Sequence, residues 1–537
     1  MREQFVTLRQ ALSNGLVPSR YAAPNTPYLT ECYNLRPSAD GLDYLVPPTE
    51  ITAFSAPTTS TWPYPQVIET SKKTYMAYLD TGVFHLAEVN LSTWAAGTDL
   101  LATGMYDLIA SAVHNPVAPT TTKGNIQTAE LDGLFVMTNG DYLWCLDATF
   151  PHATRDIVGW RQATGPVPSS VLYFNSRMIY GGLYTSSSFF SSTHWTDLWT
   201  YWVTHTPSRI GYQSTSFTDV DPNQVVMIGL PRGGDYDYPL RLELAALSGY
   251  ASSSLSPFLT NAIDSGDLQF VVVPAVGKIL TMLPVGDRII VYGTQSMAVL
   301  RQGEDGYFSA EPLSAFGIAN RSAVTIVNGQ HCFVERNGGI WKYSSTGGYN
   351  RIGIYPEIDD LITTTTSAQD CVVMLADEYL GDVYISNLVK GKGYILTPTG
   401  LAQVKQIPSA LLRYDQTLRG RTYTYATEGF QIVSARMDMN RRAYKTIGTI
   451  EVGHELLSGV SVSVDYRYDI SGAYTRLPFT LINREGVAYK RATAADLKVI
   501  IKGTVAEHCR LNYITLHYQA GDLRPIRGLT ENNAEQQ

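Results

Sequence analysis

The sequence predicts an all-β protein with propeller-like repeated antiparallel hairpins and a C-terminal β-sandwich-like module. Short apolar runs recur along most of the chain and are separated by polar turns that contain glycine or asparagine. This alternation is typical of antiparallel hairpins. Toward the end of the chain the runs become longer and alternate apolar with polar residues, as strands of a sandwich with one buried face do.

Turn chemistry predicts where the hairpins fold back. Asn139-Gly140 stands between two apolar runs, and this dipeptide favours a two-residue hairpin turn because both positions need φ > 0. Repeated short strands of this kind favour a propeller or a large sandwich. No strict repeat motif is present, so the number of blades cannot be read from the sequence. The predicted hairpins span residues 74–89, 131–147, 170–182, 278–301, 322–343 and 371–386.

Helical signals are scarce. Residues 4–13 predict a short helix that stops before Gly15, and residues 356–362 predict one helical turn with proline at its start. Residues 236–265 mix leucine, alanine and serine without clear alternation, which indicates an inserted and partly helical segment.

These patterns divide the chain into four parts. We predict an N-terminal arm over residues 1–50, then a propeller-like domain over residues 51–435 with an insertion near 236–265. A C-terminal β module follows over residues 436–520, and residues 521–537 form a polar, flexible tail.

A basic patch opens the C-terminal module. It holds Arg436, Arg441, Arg442 and Lys445. We interpret it as a structural or interface element at the junction with the propeller-like domain, where it could grip the carboxylates of a neighbouring subunit. The alternative is an ordinary solvated loop.

Composition limits the classes of function. The 537 residues carry a net charge of −8, and only 16% are charged, against roughly 25% in an average soluble protein. An acidic chain is a poor general binder of nucleic acid. The 35 tyrosines and the low charge suit permanent contact between subunits. The five cysteines are widely spaced and favour buried free thiols in a reducing cytoplasm.

No motif predicts a catalytic, cofactor or metal site. His331 and Cys332 are neighbours in a strand, so their side chains point to opposite faces and favour core packing over shared metal ligation. Asp359-Asp360 fits the solvated start of a short helix better than an acid/base pair. The remaining acidic positions in loops lack the spacing of a calcium site. They are Asp219, Asp221, Asp235 and Asp237.

An aromatic cluster near residue 200 leaves two interpretations open. Trp195 and Trp199 could stack on sugars, or they could fill the core of a blade or an interface between subunits. The repeated S-x-D-x-G-x-x-W boxes of sialidase-like propellers do not occur. No membrane span is predicted, since no run of about 18 apolar residues is present.

Four stretches of the chain resemble a known family. Asn34, Arg36-Pro37 and Gly41 stand in an Asn-x-Arg-Pro segment followed by Gly-Leu. The stretches FNSRMIYGG and VGDRIIVYGTQSMAVLRQ are similar to later parts of the same family, and so is the GGIWKY hairpin. Together they resemble the tail hub and nozzle proteins of short-tailed bacteriophages, also described as DNA-stabilisation or tail tubular protein B-like proteins. Leu45-Val46-Pro47-Pro48 departs from the usual Lys-Arg-Pro-Gly of that family.

The resemblance implies a structural virion protein and not an enzyme. Such subunits, commonly six, form a ring-shaped channel at the distal end of the portal–adaptor stack, where they retain and then release packaged double-stranded DNA. The implied partners are further copies of the chain, the adaptor and portal proteins, and tail fibres or spikes. The implied location is the virion tail, assembled in the cytoplasm of the host bacterium.

Two alternatives remain at this point. A carbohydrate-binding or glycan-degrading propeller for host attachment would need tryptophans and carboxylates that converge on one pocket. Another tail tube or fibre-adaptor protein would share the same β-rich composition.

Overall fold

A computed structural model confirms the predicted all-β fold class. Among the residues that it describes, the α-helices are short: α1 (Arg9–Asn14) and α2 (Pro257–Asp264). The described residues are 4–17, 23–52, 66–70, 73–80, 83–99, 105–107, 112–114, 126–131, 134–140, 142–147, 157–161, 167–184, 201–202, 221–232, 243, 257–346, 348–352, 372–387, 390–405, 407–423, 429–439, 444–455, 458–468, 471–504 and 509–521.

The N-terminal fifty residues form strands as well as a helix. The prediction of a helix over 4–13 is half right: the helix starts at Arg9 and ends before Gly15, whose φ is +68°. Residues Gln4–Thr7 are instead a strand, because they pair with residues 515–518 near the other end of the chain. The strands of this segment are β1 (Gln4–Thr7), β2 (Leu29–Tyr33), β3 (Leu35–Ser38), β4 (Gly41–Tyr44) and β5 (Thr49–Glu50).

Within the described residues, seven consecutive small sheets follow, and we number them blades 1 to 7. Each is an antiparallel meander with local exceptions, and blade 7 is completed by β5, which pairs in parallel with its second strand. The strands are β6 (Gln66–Glu69), β7 (Thr74–Asp80), β8 (Val83–Asn90) and β9 (Ala95–Asp99) in blade 1; β10 (Met105–Asp107), β11 (Ala112–His114), β12 (Gln127–Leu131), β13 (Leu134–Thr138), β14 (Tyr142–Asp147) and β15 (Ile157–Arg161) in blade 2; β16 (Val167–Phe174), β17 (Arg177–Tyr184), β18 (Val225–Pro231) and β19 (Gln269–Val272) in blade 3; β20 (Ile279–Val285), β21 (Arg288–Gly293), β22 (Met297–Gln302) and β23 (Phe308–Ser314) in blade 4; β24 (Val324–Val327), β25 (Gln330–Val334), β26 (Ile340–Ser344) and β27 (Gly348–Arg351) in blade 5; β28 (Val372–Asp377), β29 (Asp382–Asn387), β30 (Lys392–Leu396) and β31 (Leu401–Val404) in blade 6; β32 (Ile407–Tyr414) and β33 (Thr417–Tyr423) in blade 7.

The blades close into a ring. The inner strand is the first strand of each blade, except in blade 2, where it is β12. The inner strands β12, β16 and β20 pack against one another in that order. Small polar side chains join these inner strands: Ser169 Oγ donates to the carbonyl of Ile279 at 2.7 Å, and Met282 N donates to Ser170 Oγ at 2.9 Å. The last blade meets the first, since β32 packs against β6. This arrangement is that of a propeller.

Asn139-Gly140 does not form the two-residue turn that was predicted, because Thr138 pairs with Leu143 and only Gly140 of the two has positive φ. Two other predicted hairpins do have such turns. Asn175 and Ser176 both have positive φ, and the strand residues on either side of them pair directly. Asn328 and Gly329 do the same in blade 5. Two-residue turns with positive φ at both positions match the twist of the strands that they join, which explains why asparagine and glycine mark them in the sequence.

The C-terminal strands build two packed sheets. One has the order β3-β4-β41-β35-β39, with β1 also on β41; the other continues blade 6 in the order β31-β2-β34-β40-β36-β37, with β38 also on β36. One hydrophobic cluster joins both sheets to blade 6 and includes Ile385, Ile395, Ile450 and Leu516. The strands are β34 (Phe430–Ser434), β35 (Lys445–Glu455), β36 (Ser458–Arg467), β37 (Thr475–Arg476), β38 (Thr480–Leu481), β39 (Val487–Ala494), β40 (Asp496–Thr504) and β41 (Arg510–Ala520).

The segment predicted as an N-terminal arm therefore contributes strands to both sheets of the C-terminal sandwich. Strand β2 lies between β31 and β34, so residues 29–33 connect a blade to the sandwich within one sheet. The helical turn predicted at 356–362 and most of the insertion predicted at 236–265 lie outside the described residues, although α2 falls inside the insertion.

Candidate functional site: the junction of ring and sandwich

Asn34 lies where blade 6 meets the sandwich. Its φ is +60°, a left-handed conformation that asparagine tolerates better than other residues with a side chain. Its backbone N donates to the carbonyl of Gln403 at 3.0 Å, and its side-chain Oδ1 accepts from the backbone N of Lys405 at 3.0 Å. Its Nδ2 donates to the carbonyl of Gly429 at 3.3 Å. One side chain therefore bridges the end of β31 and the start of β34.

Arg36 makes a two-point ion pair with Asp382 at the start of β29. Arg36 Nε lies 2.6 Å from Asp382 Oδ2, and Nη2 lies 2.8 Å from Oδ1. The Asp382 side chain is only 1% exposed. Burial raises the pKa of Asp382, and the hydrogen bonds from Arg36 oppose that rise by stabilising the carboxylate. The aspartate is therefore poorly hydrated and depends on its arginine.

A second arginine–aspartate pair lies beside the first. Asp377 pairs with Asp382 across the β28–β29 hairpin, and like charges opposite each other destabilise a hairpin. Arg413, from β32 of blade 7, donates from Nε to Asp377 Oδ1 at 2.8 Å and from Nη2 to Oδ2. We call Arg36, Asp377, Asp382 and Arg413 the double-pair cluster. It fastens the N-terminal segment and blade 7 to the same end of blade 6.

Pro37 and Gly41 shape the hairpin that carries Arg36 into place. Pro37 pairs with Leu42 in the β3–β4 ladder. Gly41 has φ +144°, and a methyl group at this position would overlap the carbonyl oxygen of Leu511 on β41. Glycine is therefore required for β4 to lie against β41.

A groove opens beside Asn34, between blade 6 and the sandwich. Its volume is about 890 Å³, and strands β30, β31, β2, β34 and β40 line it. Strands β31 and β2 share a single ladder pair, Tyr33 with Gln403, so the two halves of the sheet separate there. We call this space the junction groove.

Positive charge predominates in the junction groove. Its lining holds Lys392, Lys405 and Lys502 against one carboxylate, Glu31, which accepts a hydrogen bond from Gln431 at 2.7 Å. Aromatic rings support two of the ammonium groups. Lys405 Nζ lies 5.5 Å from the centroid of Tyr33, and Lys502 Nζ lies 4.6 Å from that of Phe479. The groove thus presents a local positive surface on an acidic protein.

The described part of the basic patch makes contacts inside its own chain. Arg436 lies 3.8 Å from Asp496. Lys445 is buried and donates to the carbonyl of Ala495 at 2.7 Å, and its burial lowers its pKa. Lys445 is therefore a structural residue of β35. Of the other predicted site residues, Arg441, Arg442, Trp195 and Trp199 lie outside the described residues.

His331 is a core residue, as its position in a strand predicted. The Tyr292 hydroxyl donates to its Nδ1 at 2.8 Å, and its Nε2 donates to the carbonyl of Pro284 at 2.8 Å. Burial lowers its pKa to about 4. The neutral ring therefore joins blade 4 to blade 5. Cys32, Cys332 and Cys509 are buried free thiols, in agreement with the prediction from cysteine spacing.

The acidic loop residues show no metal-binding geometry where they are described. Asp221 caps the 3₁₀ turn Pro222–Gln224 by accepting from the amide of Asn223 at 2.9 Å. Asp219, Asp235, Asp237, Asp359 and Asp360 lie outside the described residues. In the parts of the chain that the structure describes, no three His, Cys, Asp or Glu side chains are grouped to hold a metal ion. Nor does any described helix have the length and apolar character needed to cross a membrane.

Comparisons with known proteins give weak likenesses only. No family model matches the chain, and no curated protein does. A quinonprotein alcohol dehydrogenase-like protein from Bacteroides thetaiotaomicron is 10% identical with a TM-score of 0.30, and the match covers 63% of this chain and 65% of that one. Kluyveromyces lactis Hsv2 is 8% identical with a TM-score of 0.28, covering 67% and 84%. The BBS1N chain of a complex with ARL6DN is 9% identical with a TM-score of 0.31, covering 71% and 89%. Scores this low say nothing about function.

Proposed function

We propose that this chain is a structural virion protein, a hub or nozzle subunit of a short-tailed phage tail. In this proposal, several copies form a ring whose channel retains and then releases packaged double-stranded DNA. The segment that carries the family resemblance supports it most directly, because Asn34 and Arg36 fasten blade 6 to the sandwich and Gly41 allows β4 to reach β41. A rigid connection between two β bodies serves a mechanical requirement and not a catalytic one.

The buried ionisable groups support the same class of function. Asp382 and Asp377 join three parts of the chain, and His331 joins two blades. Glu243, in the connection between β18 and β19, is buried against blade 3, where it accepts from Arg232 and from the hydroxyl of Tyr180. Each of these groups is used to connect elements, which suits a protein that bears load and turns over no substrate.

Electron microscopy of the purified protein tests the proposal. We expect rings with a central hole wide enough for duplex DNA, and sedimentation at several concentrations should give the corresponding mass. A second experiment incubates the protein with the adaptor protein of the parent particle, because some tail subunits assemble only on their adaptor. Isolated single subunits in both experiments would contradict the proposal.

A further inference from the structure

The junction groove lies on one face of the propeller ring. The inner strands of blades 3 and 4 run in the same direction, since Ser169 faces Ile279 while Ser170 faces Met282. The propeller arrangement extends this direction to the inner strand of blade 6. In a four-stranded meander, the second-to-third turn and the end of the fourth strand both lie at the end where the inner strand starts. Lys392 begins the third strand of blade 6 and Lys405 follows the fourth. Both lysines therefore mark the starting face of the ring.

An acidic turn lies on the opposite face. It joins the third and fourth strands of blade 4 and has the sequence Gly303-Glu304-Asp305-Gly306. By the same meander rule, this turn is at the far end of the inner strand. Both carboxylates are exposed. We call these four residues the acidic turn.

The acidic turn has a fixed shape. Gly303 N donates to the carbonyl of Tyr307 at 2.7 Å, and Gly306 N donates to the carbonyl of Gly303 at 3.0 Å. Asp305 Oδ1 also accepts from the amide of Tyr307 at 3.1 Å. A preformed turn loses little conformational entropy when it binds, so it is a suitable element for insertion into a groove.

We propose that the acidic turn of one copy of this chain docks in the junction groove of the next copy. The charges are complementary, with Glu304 and Asp305 opposite the lysines of the groove. The two surfaces are different and lie on opposite faces, so the contact is head-to-tail, and such a contact forms a ring when the rotation from copy to copy closes. This inference rests on the ring of the proposed function and assigns the residues that form its interface.

Two charge-reversal variants test the interface. Lys392→Glu with Lys502→Glu reverses the groove, and Glu304→Lys with Asp305→Lys reverses the turn. Each double variant should raise the dissociation constant for assembly at least about tenfold, measured by sedimentation or mass photometry. Glu485→Lys is the matched control, since Glu485 is an exposed carboxylate in another turn. It should leave assembly unchanged.

Mixing the two double variants gives the decisive measurement. Each reversed groove then meets a reversed turn, and each native groove meets a native turn, so alternating copies should reassemble while each variant alone stays apart. This result also shows that both variants are folded. Failure of the mixture to assemble would overturn the proposed interface, as would normal assembly of the turn variant alone. A wild-type protein that stays monomeric, with and without its adaptor, would overturn both the proposed oligomeric ring and the interface. If the oligomeric ring forms equally well in the charge-reversal variants, only the interface is overturned.

Discussion

Replacing Arg36 by alanine should destabilise the protein strongly, because it leaves Asp382 buried without its counter-ion. The aspartate is 1% exposed and loses both hydrogen bonds from the guanidinium, at 2.6 and 2.8 Å. Breaking a buried ion pair by removing one partner costs about 3–5 kcal/mol. We expect a loss of that size in the free energy of unfolding at pH 7.5, measured by urea denaturation with tyrosine fluorescence.

The pH dependence of this variant has a defined sign. Burial already raises the pKa of Asp382, and without Arg36 the rise is larger. The folded variant then holds a proton that the unfolded chain releases, so acidification from pH 7.5 towards 5 should recover part of the lost stability. The difference in stability between the variant and the wild-type protein should therefore narrow over this range, since the contribution of His331 is common to both and cancels in the difference.

A double-mutant cycle separates the ion pair from simple loss of packing. Asp382→Asn in the Arg36→Ala background removes the buried charge, so the double variant should be more stable than Arg36→Ala alone. A loss below about 1 kcal/mol in Arg36→Ala, or a double variant less stable than the single one, would refute the reasoning, since surface ion pairs behave in that way.

Three further outcomes are expected. Because buried His331 stays neutral in the folded protein, the free energy of unfolding should fall by up to about 3 kcal/mol as the pH drops from about 6.5 to about 4. Over that range the unfolded chain takes up a proton that the folded chain excludes. Thermal melts of His331→Gln should lack this pH dependence. Gly41→Ala should cost more than about 2 kcal/mol in urea denaturation because its methyl group overlaps Leu511, whereas Gly448→Ala, with open space at its methyl position, should cost less than about 1; equal losses would contradict the packing at β41. Asn34→Ala should cost about 2 kcal/mol by the same measurement through its left-handed backbone and its lost bridging bonds, and an unchanged midpoint would show that the bridge is not needed.

The parts of the fold that the sequence predicts are those that depend on neighbouring residues. Asn175-Ser176 and Asn328-Gly329 identify turns because the positive φ of a tight hairpin is a local demand. The same local reasoning failed at Phe5. This residue and its neighbours look helical alone, but pairing of Phe5 with His517 imposes a strand. Tertiary contact decides the state of such a short segment.

Only some residues of the candidate site can be predicted from the sequence. Arg36 and Asn34 are visible as an unusual motif, yet the sequence does not indicate Asp382, which lies 346 positions beyond Arg36. The lysines of the junction groove are ordinary strand residues until the sheet separates between β31 and β2. No periodicity encodes a place where two sheets part, so such a groove becomes visible only once the topology is known.

The position of β2 explains why the ring and the sandwich should act as one body. This strand is laddered to β34 and joined to β31 by the single pair Tyr33–Gln403. Asn34 reinforces that joint through its bonds to Gln403 and Lys405, so rotation between the two bodies must break these bonds. The two ends of the chain reinforce the joint, since β1 and β4 both lie on β41. We expect pairings across 508 positions, as between Thr7 and Thr515, to close late in folding because the entropy of closing so large a loop comes before any gain from the contact. The sandwich sheet that holds β1 and β4 is therefore complete only once β41 has paired with them.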